Sequence, residues 1–170
     1  MSTSPSTTIL LAVDVAPGSP LLHVRAAVDV TRTLIRDGRD HVVVLHVREF
    51  SVSRLGRMMA DGGGASGQRA VDDVVAALRA AGIHAGGQIR EADAGHVARA
   101  ILDAARDCDA RVVVLGSRSR TSLPRIPLGS VATHLLHLAT LPVLIVPRPD
   151  ALPARERPAT VVTASAAAAS

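Results

Sequence analysis

The chain has 170 residues, 48% hydrophobic and 20% charged, which is the length of one domain with tails and a globular rather than disordered composition. Its net charge of +4 and pI near 11.1 suggest a nucleic-acid binder, yet all 19 basic residues are arginines scattered along the chain. Arginine titrates so far above neutrality that a small excess over 15 acids lifts the pI, and no nucleic-acid partner is expected. The longest wholly apolar runs, such as Val112–Leu115 and Val143–Val146, fall far short of the ~20 residues of a membrane span. No basic region precedes the first apolar run, so neither a membrane segment nor a secretory leader is expected.

Residues 1–8 are expected to be flexible, and residues 9–148 to form the folded domain. Ile9–Val13 is an unbroken apolar run that predicts a buried strand, ended by Asp14. Ala16–Pro20 is a turn cluster. Leu21, Val24, Val28, Thr31 and Ile35 recur at helical spacing, and Asp37-Gly38 closes that helix. His41–Val47 is β-branched and predicts a second strand. Phe50–Gly67 is the least regular stretch, and Gly62–Gly64 within it predicts a mobile loop. Gln68–Ala81 is a second helix with Val71, Val74, Val75 and Leu78 on one side, ended by Gly82. Ile83–Ile89 reads as a weak third strand, interrupted by Gly86-Gly87.

A third helix opens at Asp93 or Ala94 and buries Val97, Ile101, Leu102 and Ala105. Arg111–Leu115 is a fourth strand ending at Gly116. Ser117–Leu128 is a polar loop, Ser130–Ala139 a short helix, and Pro142–Val146 a fifth strand. Residues 149–170 are Pro/Ala/Thr/Ser-rich without periodicity and read as a disordered tail.

Strands apolar on both faces and alternating with helices predict an α/β fold: a doubly wound, five-stranded parallel sheet with helices on both faces. The pattern is met equally by a flavodoxin-like strand order, 2-1-3-4-5, and a Rossmann-like order, 3-2-1-4-5. In either, ligands bind beyond the carboxyl ends of the strands, beside the point where the order reverses. For order 3-2-1-4-5 those ends carry Asp14 and Gly116.

The segment from Gly116 to Ser130 follows a buried strand and precedes a helix. A helix N-terminus offers unpaired N–H groups and partial positive charge, which suit phosphate. Gly116 and Gly129 let backbone approach a ligand, Ser130 caps the helix or donates to an oxygen, and Arg118, Arg120 and Arg125 add charge. The same residues also fit an ordinary loop with a Gly-Ser helix start, and Asp14 also fits a turn residue. His134 and His137 share a helix face without an accompanying carboxylate or cysteine, and read as exposed histidines rather than metal ligands. His46 reads as a partly buried strand residue with a partner. Asp72-Asp73 sits at a helix start, where the dipole favours carboxylates.

Several chemistries are excluded. Without lysine there is no phosphate-loop lysine, Schiff-base lysine or protein-kinase site. Phe50, the only aromatic residue, provides no base-stacking platform. The single cysteine, Cys108, forms no intramolecular disulfide, has no nucleophile motif around it, and points to a cytoplasmic home.

Over residues 9–147 the chain resembles the universal stress protein family. The resemblance is carried by Ile9–Asp14 with Gly18-Ser19, by Val44–Val47, by Val112–Ser117, and by Leu128–Val131 followed by Leu141–Val146. It implies order 3-2-1-4-5 and a homodimer pairing through the strand at 142–147, an apolar edge that needs cover. One branch of the family binds ATP through Gly, two residues, Gly, nine residues, then Gly-Ser or Gly-Thr. Here the spacing is kept as Gly116, Ser119 and Gly129-Ser130, with serine in place of the middle glycine. Pro124 and Pro127 stiffen the same loop.

By this resemblance Asp14 contacts the ribose or adenine edge and the Val47 backbone reads adenine. Gly116, Ser119, Gly129 and Ser130 hold the phosphates, with the Val131 N–H nearby and Arg118 adding charge. Mg²⁺ would travel with the phosphates. The implied role is a nucleotide-binding regulatory stress-response protein; the alternatives are an interaction module without ligand and, as a distant third, a slow ATPase. Against the last stand the lack of lysine and of an evident general base, so that no enzyme is expected.

Overall fold

A computed structural model of the chain describes residues 7–14, 22–36, 38–53, 56–59, 65–116, 129–146 and 161–162. In chain order the elements are β1 (Thr8–Ala12), α1 (Leu22–Leu34), β2 (His41–Ser53), β3 (Gly56–Met59), α2 (Ala65–Ala80), β4 (His84–Asp93), α3 (Val97–Asp107), β5 (Ala110–Gly116), α4 (Ser130–Leu138), β6 (Val143–Val146) and β7 (Val161–Val162). Five strands are parallel, in the order β4-β2-β1-β5-β6. This is the 3-2-1-4-5 order of a doubly wound fold. Short β3 and β7 add to it antiparallel, on β2 and β6.

The alternation along each strand sorts the core into two layers. Ile9, Leu11, Val42, Val44 and Val114 pack with Ala27 of α1 and with Val71, Val74, Val75 and Leu78 of α2. Leu10, Leu45, Val113, Val143 and Ile145 pack with Ile101, Leu102 and Ala105 of α3 and Leu135 of α4. Ile9, Leu10 and Leu11 are completely buried. Each such side chain contributes roughly 1.5–3 kcal/mol, so the central strand ties both layers together.

The structure departs from the sequence reading at several places. The second strand does not stop at Val47. It runs on to Ser53, and the stretch expected to be irregular turns back as β3, with Phe50 in register with Met59. The third strand is not weak: it pairs with β2 over ten residues, from His84 to Asp93. Because Ala94 N–H still bonds the Phe50 carbonyl (2.9 Å), the third helix begins at Val97 and not at Asp93 or Ala94. The second helix begins at Ala65, ahead of Gln68, which places Asp72 and Asp73 mid-helix, both exposed. Gly62–Gly64 lies outside the described residues.

The expected free edge at 142–147 is also altered. Val161 and Val162, within the segment read as disordered, pair antiparallel with Leu144 and Val143. The rest of 147–170 lies outside the described residues, as do residues 1–6. No helix among the described residues is long and apolar enough to cross a membrane.

Candidate functional site

The carboxyl-end rim is set by register. Ala12 is in register with Leu45 on one side and Leu115 on the other. Continuing one residue brings Gly116 to the end of β5; continuing two brings Asp14 level with Val47 on β2. Neighbouring strands lie about 4.8 Å apart, so Asp14, Val47 and Gly116 share the rim beside the β1/β5 switch point. Asp14, Val47 and Gly116 are each half-buried.

The end of β1 is held from below. Val13 N–H donates to the Leu45 carbonyl (2.8 Å). His46, buried on the α1/α2 side, places its Nδ1 3.1 Å from the Val13 carbonyl. A carbonyl only accepts, so Nδ1 is the protonated nitrogen in this contact. Gly67 of α2 closes over the same ring: a Cβ there would lie 2.4 Å from His46 Cδ2, so only glycine lets the helix come this near. His46 was expected as a buried, partnered histidine. What the sequence did not reveal is that its partner is the carbonyl preceding Asp14.

The other half of the rim is the start of α4. β5 and β6 are parallel, with Val113 in register with Val143, so the chain leaving β5 at Gly116 must travel back along the sheet before β6. Nine-residue α4 covers roughly 13 Å of that return, which puts its N-terminus on the rim with Gly116. Gly129 is its N-cap (φ −53°, ψ 156°) and brings no capping side chain. The helix's first backbone bond runs from Thr133 N–H to the Gly129 carbonyl (3.0 Å), leaving the N–H groups of Ser130, Val131 and Ala132 ahead of it. Among the described residues, a Cβ on Gly129 would meet nothing within 4 Å. Ser130 is exposed, while Val131 packs its side chain into the α3/α4 layer.

Thus Asp14, Val47, Gly116, Gly129, Ser130 and Val131 come to one rim. Arg118 and Ser119, with Arg120, Pro124, Arg125 and Pro127, lie outside the described residues. His134 and His137 are exposed on α4. No group of three or more His, Cys, Asp or Glu side chains able to hold a metal occurs among the described residues.

The amino-end rim is braced by Asp40, which is buried. Its carboxylate accepts from Arg36 N–H (2.8 Å) and Thr7 N–H (3.2 Å), joining the end of α1 to the start of β1. The Arg36 hydrogen bond, more than any other contact, holds this carboxyl below the ordinary aspartate value, against the opposing effect of burial.

Comparison with known proteins agrees with this architecture. The sequence profile of the universal stress protein family matches residues 5–147. A universal stress protein of Mycolicibacterium smegmatis is 46% identical over 50 residues, 29% of this chain but only 16% of that protein; the match spans about a sixth of the relative's length. The universal stress protein of Archaeoglobus fulgidus in complex with dAMP superposes with a TM-score of 0.55 at 20% identity, covering 82% of this chain and 97% of that one. A universal stress protein family protein of Arabidopsis thaliana with AMP bound gives 0.57 at 18% identity, covering 88% and 97%.

Proposed function

The chain belongs to the universal stress protein family, and from that premise we propose that it binds an adenine nucleotide of the ATP class at the β1/β5 rim and acts as a regulatory stress-response protein. The observation that carries this reading is the register that sets Asp14, Val47 and Gly116 side by side, with the uncapped start of α4 on the same rim. The nucleotides in the Archaeoglobus and Arabidopsis relatives support the ligand class.

The residues fit such a ligand. The Asp14 carboxylate accepts from a ribose hydroxyl, and the Val47 backbone faces the base edge. The N–H groups of Ser130, Val131 and Ala132 receive phosphate oxygens, with Gly116 and Gly129 keeping side chains out of the way and Arg118 and Ser119 completing the loop. Mg²⁺ would be held by the phosphates and water. Occupancy acts as a signal only insofar as the nucleotide binds one state of the protein better than another. No catalytic step is assigned: the chain has no lysine, and no general base for water is identified among the described residues of the rim. The same proposal includes a cytoplasmic location.

Isothermal titration of the dialysed protein with ATP, ADP and AMP tests this. Heat with a saturable isotherm is expected, and its absence at millimolar nucleotide would end the reading. Gly129→Asp is the sharper variant. The site has room for the side chain, which caps the helix and puts a carboxylate where phosphate would sit. It should leave the melting temperature unchanged or higher while weakening ATP at least tenfold.

A second reading, an interaction module without ligand, is favoured by Ser119 in place of the motif glycine. It requires a melting temperature indifferent to nucleotide. Binding at 100 times Kd adds about 2.7 kcal/mol, which is roughly 5–10 °C for a domain of this size, so thermal shift separates the two.

A homodimer through the β6 edge remains part of the proposal. Two copies would pair along Ile145 and Val146, beyond the residues paired with β7, or displace β7 altogether.

A further inference from the structure

At the rim opposite the nucleotide site, we propose that the cleft between β2, β4 and the end of α2 binds a small oxyanion of the phosphate class. The cleft measures about 520 Å³ and is lined by His41, Arg79, Gly82, Ile83, His84 and Ala85. Three of those six side chains are basic and none is acidic.

The basic groups reach the cleft from both sides of the sheet, the two histidines from the face turned away from α2 and Arg79 from α2 itself. His41 and His84 are in register on adjacent parallel strands, so their side chains leave the same face about 4.8 Å apart at the backbone. Gly86, two residues on, lies beside the same ring: a Cβ there would sit 3.5 Å from His41 Nε2, in ordinary contact. Arg79 comes from the last turn of α2, and its Nε donates to the Ala85 carbonyl (2.9 Å). That bond fixes the guanidinium and leaves its terminal NH₂ groups without a partner among the described residues. Nor does either imidazole have one.

An anion here would face the end of a helix, whose dipole is unfavourable. That end is closed, however: Ile83 N–H bonds the Leu78 carbonyl (3.0 Å) and Gly82 N–H bonds the Arg79 carbonyl (2.9 Å) around Gly82 at φ 78°. Two acids among the described residues at this end of the sheet are already engaged. Asp40 accepts from Arg36 and Thr7, and on the α3 side Asp107 pairs with Arg90 (2.5 Å).

Burial first, then His84 and Arg79, push the His41 pKa below the ordinary histidine value. A bound dianion reverses those like-charge contributions, so binding strengthens as pH falls and protonates the two histidines. By linkage, the anion in turn raises their titration midpoints.

Histidine Cε1–H NMR titrations of the full chain in sodium sulfate and in sodium chloride at equal ionic strength read this directly. Sulfate keeps its charge across the range. His41 and His84 are expected to titrate about one pH unit higher in saturating sulfate, a tenfold preference of sulfate for the protonated cleft, with the other five histidines moving much less. Arg79→Gln should at least halve the shift, and inorganic phosphate should reproduce it. Equal shifts at all seven histidines, no difference between salts, or a shift undiminished in Arg79→Gln would overturn the proposal. So would broadening of His41 and His84 by Ni²⁺ without any response to sulfate. Each readout is independent of whether the opposite rim binds nucleotide.

Discussion

Gly67→Ala tests the brace under the β1/β5 rim, because two ordinary rules predict opposite signs for it. Replacing a helix glycine by alanine normally stabilises by about 0.5–1 kcal/mol. Here the new methyl would lie 2.4 Å from His46 Cδ2 and 2.7 Å from Nε2, a distance no packed pair tolerates. Forcing extra volume into a close-packed core costs roughly 1–3 kcal/mol, and a displaced ring gives up the Nδ1 bond to the Val13 carbonyl, worth about 1 kcal/mol. The clash outweighs the propensity gain, leaving a net loss of about 1–3 kcal/mol. That is a large fraction of the 5–15 kcal/mol stability of a typical domain. With no tryptophan or tyrosine in the chain, urea unfolding followed by far-ultraviolet circular dichroism is the appropriate assay. In a His46→Ala background the ring is gone, and Gly67→Ala should then stabilise by up to about 1 kcal/mol. A stabilising Gly67→Ala in the otherwise natural chain would show that α2 does not press on His46, and the account of how Asp14 is held would fail with it.

Asp40→Asn removes the charge from a buried acceptor of two backbone N–H groups and should cost about 1.5–3 kcal/mol at neutral pH. The natural carboxyl titrates below its unfolded value of 3.8. Its stabilisation is therefore complete above that pH and lost as pH falls through the folded value. The acid limb of the stability curve should be flatter in Asp40→Asn, and equal acid sensitivity in both proteins would contradict the assignment. Cys108 is half-buried and burial raises its thiol pKa, so it should alkylate with iodoacetamide at pH 8 at least several-fold more slowly than glutathione. Removing residues 149–170 exposes the β6 positions that β7 occupies. Sedimentation velocity should show a larger dimer fraction in the truncated chain, and no change would mean that the tail does not compete for that edge.

Much of the architecture was legible because β1, β5 and β6 are apolar on both faces, as strands of a parallel sheet covered on both sides must be. The errors arose where a local signal was overruled by a distant partner. Arg48 and Glu49 look like the end of a strand. They are accommodated inside one because Arg48 pairs with Glu91 across to β4 (2.7 Å) and Glu49 accepts from Gly95 N–H (3.2 Å). Gly86-Gly87 looks like weakened strand, yet a Cβ on Gly87 would lie 2.6 Å from Val71 Cγ1, so that glycine is what allows α2 to lie close on the sheet. Ala65-Ser66-Gly67 looks like loop for the same reason: Gly67 answers to His46, about twenty positions away on another element.

The same contrast divides the candidate site. Asp14 and Gly116 could be singled out because strand ends at a switch point follow from topology alone. Their side-by-side placement depends on register, which no single strand's sequence encodes and which here follows from pairing β1 with both neighbours at once. The Asp14 half is therefore positioned before any ligand arrives, by the Val13–Leu45 and His46–Val13 bonds. The Gly129 half contributes only helix-end N–H groups, whose strength toward phosphate depends on how closely the segment from Ser117 to Leu128 lets the phosphate approach. Replacing the motif glycine with Ser119 changes that second half alone. On the proposed reading its effect falls on the phosphate chain, and titration calorimetry should show affinity for AMP, assigned above to Asp14 and Val47, preserved better than affinity for ATP.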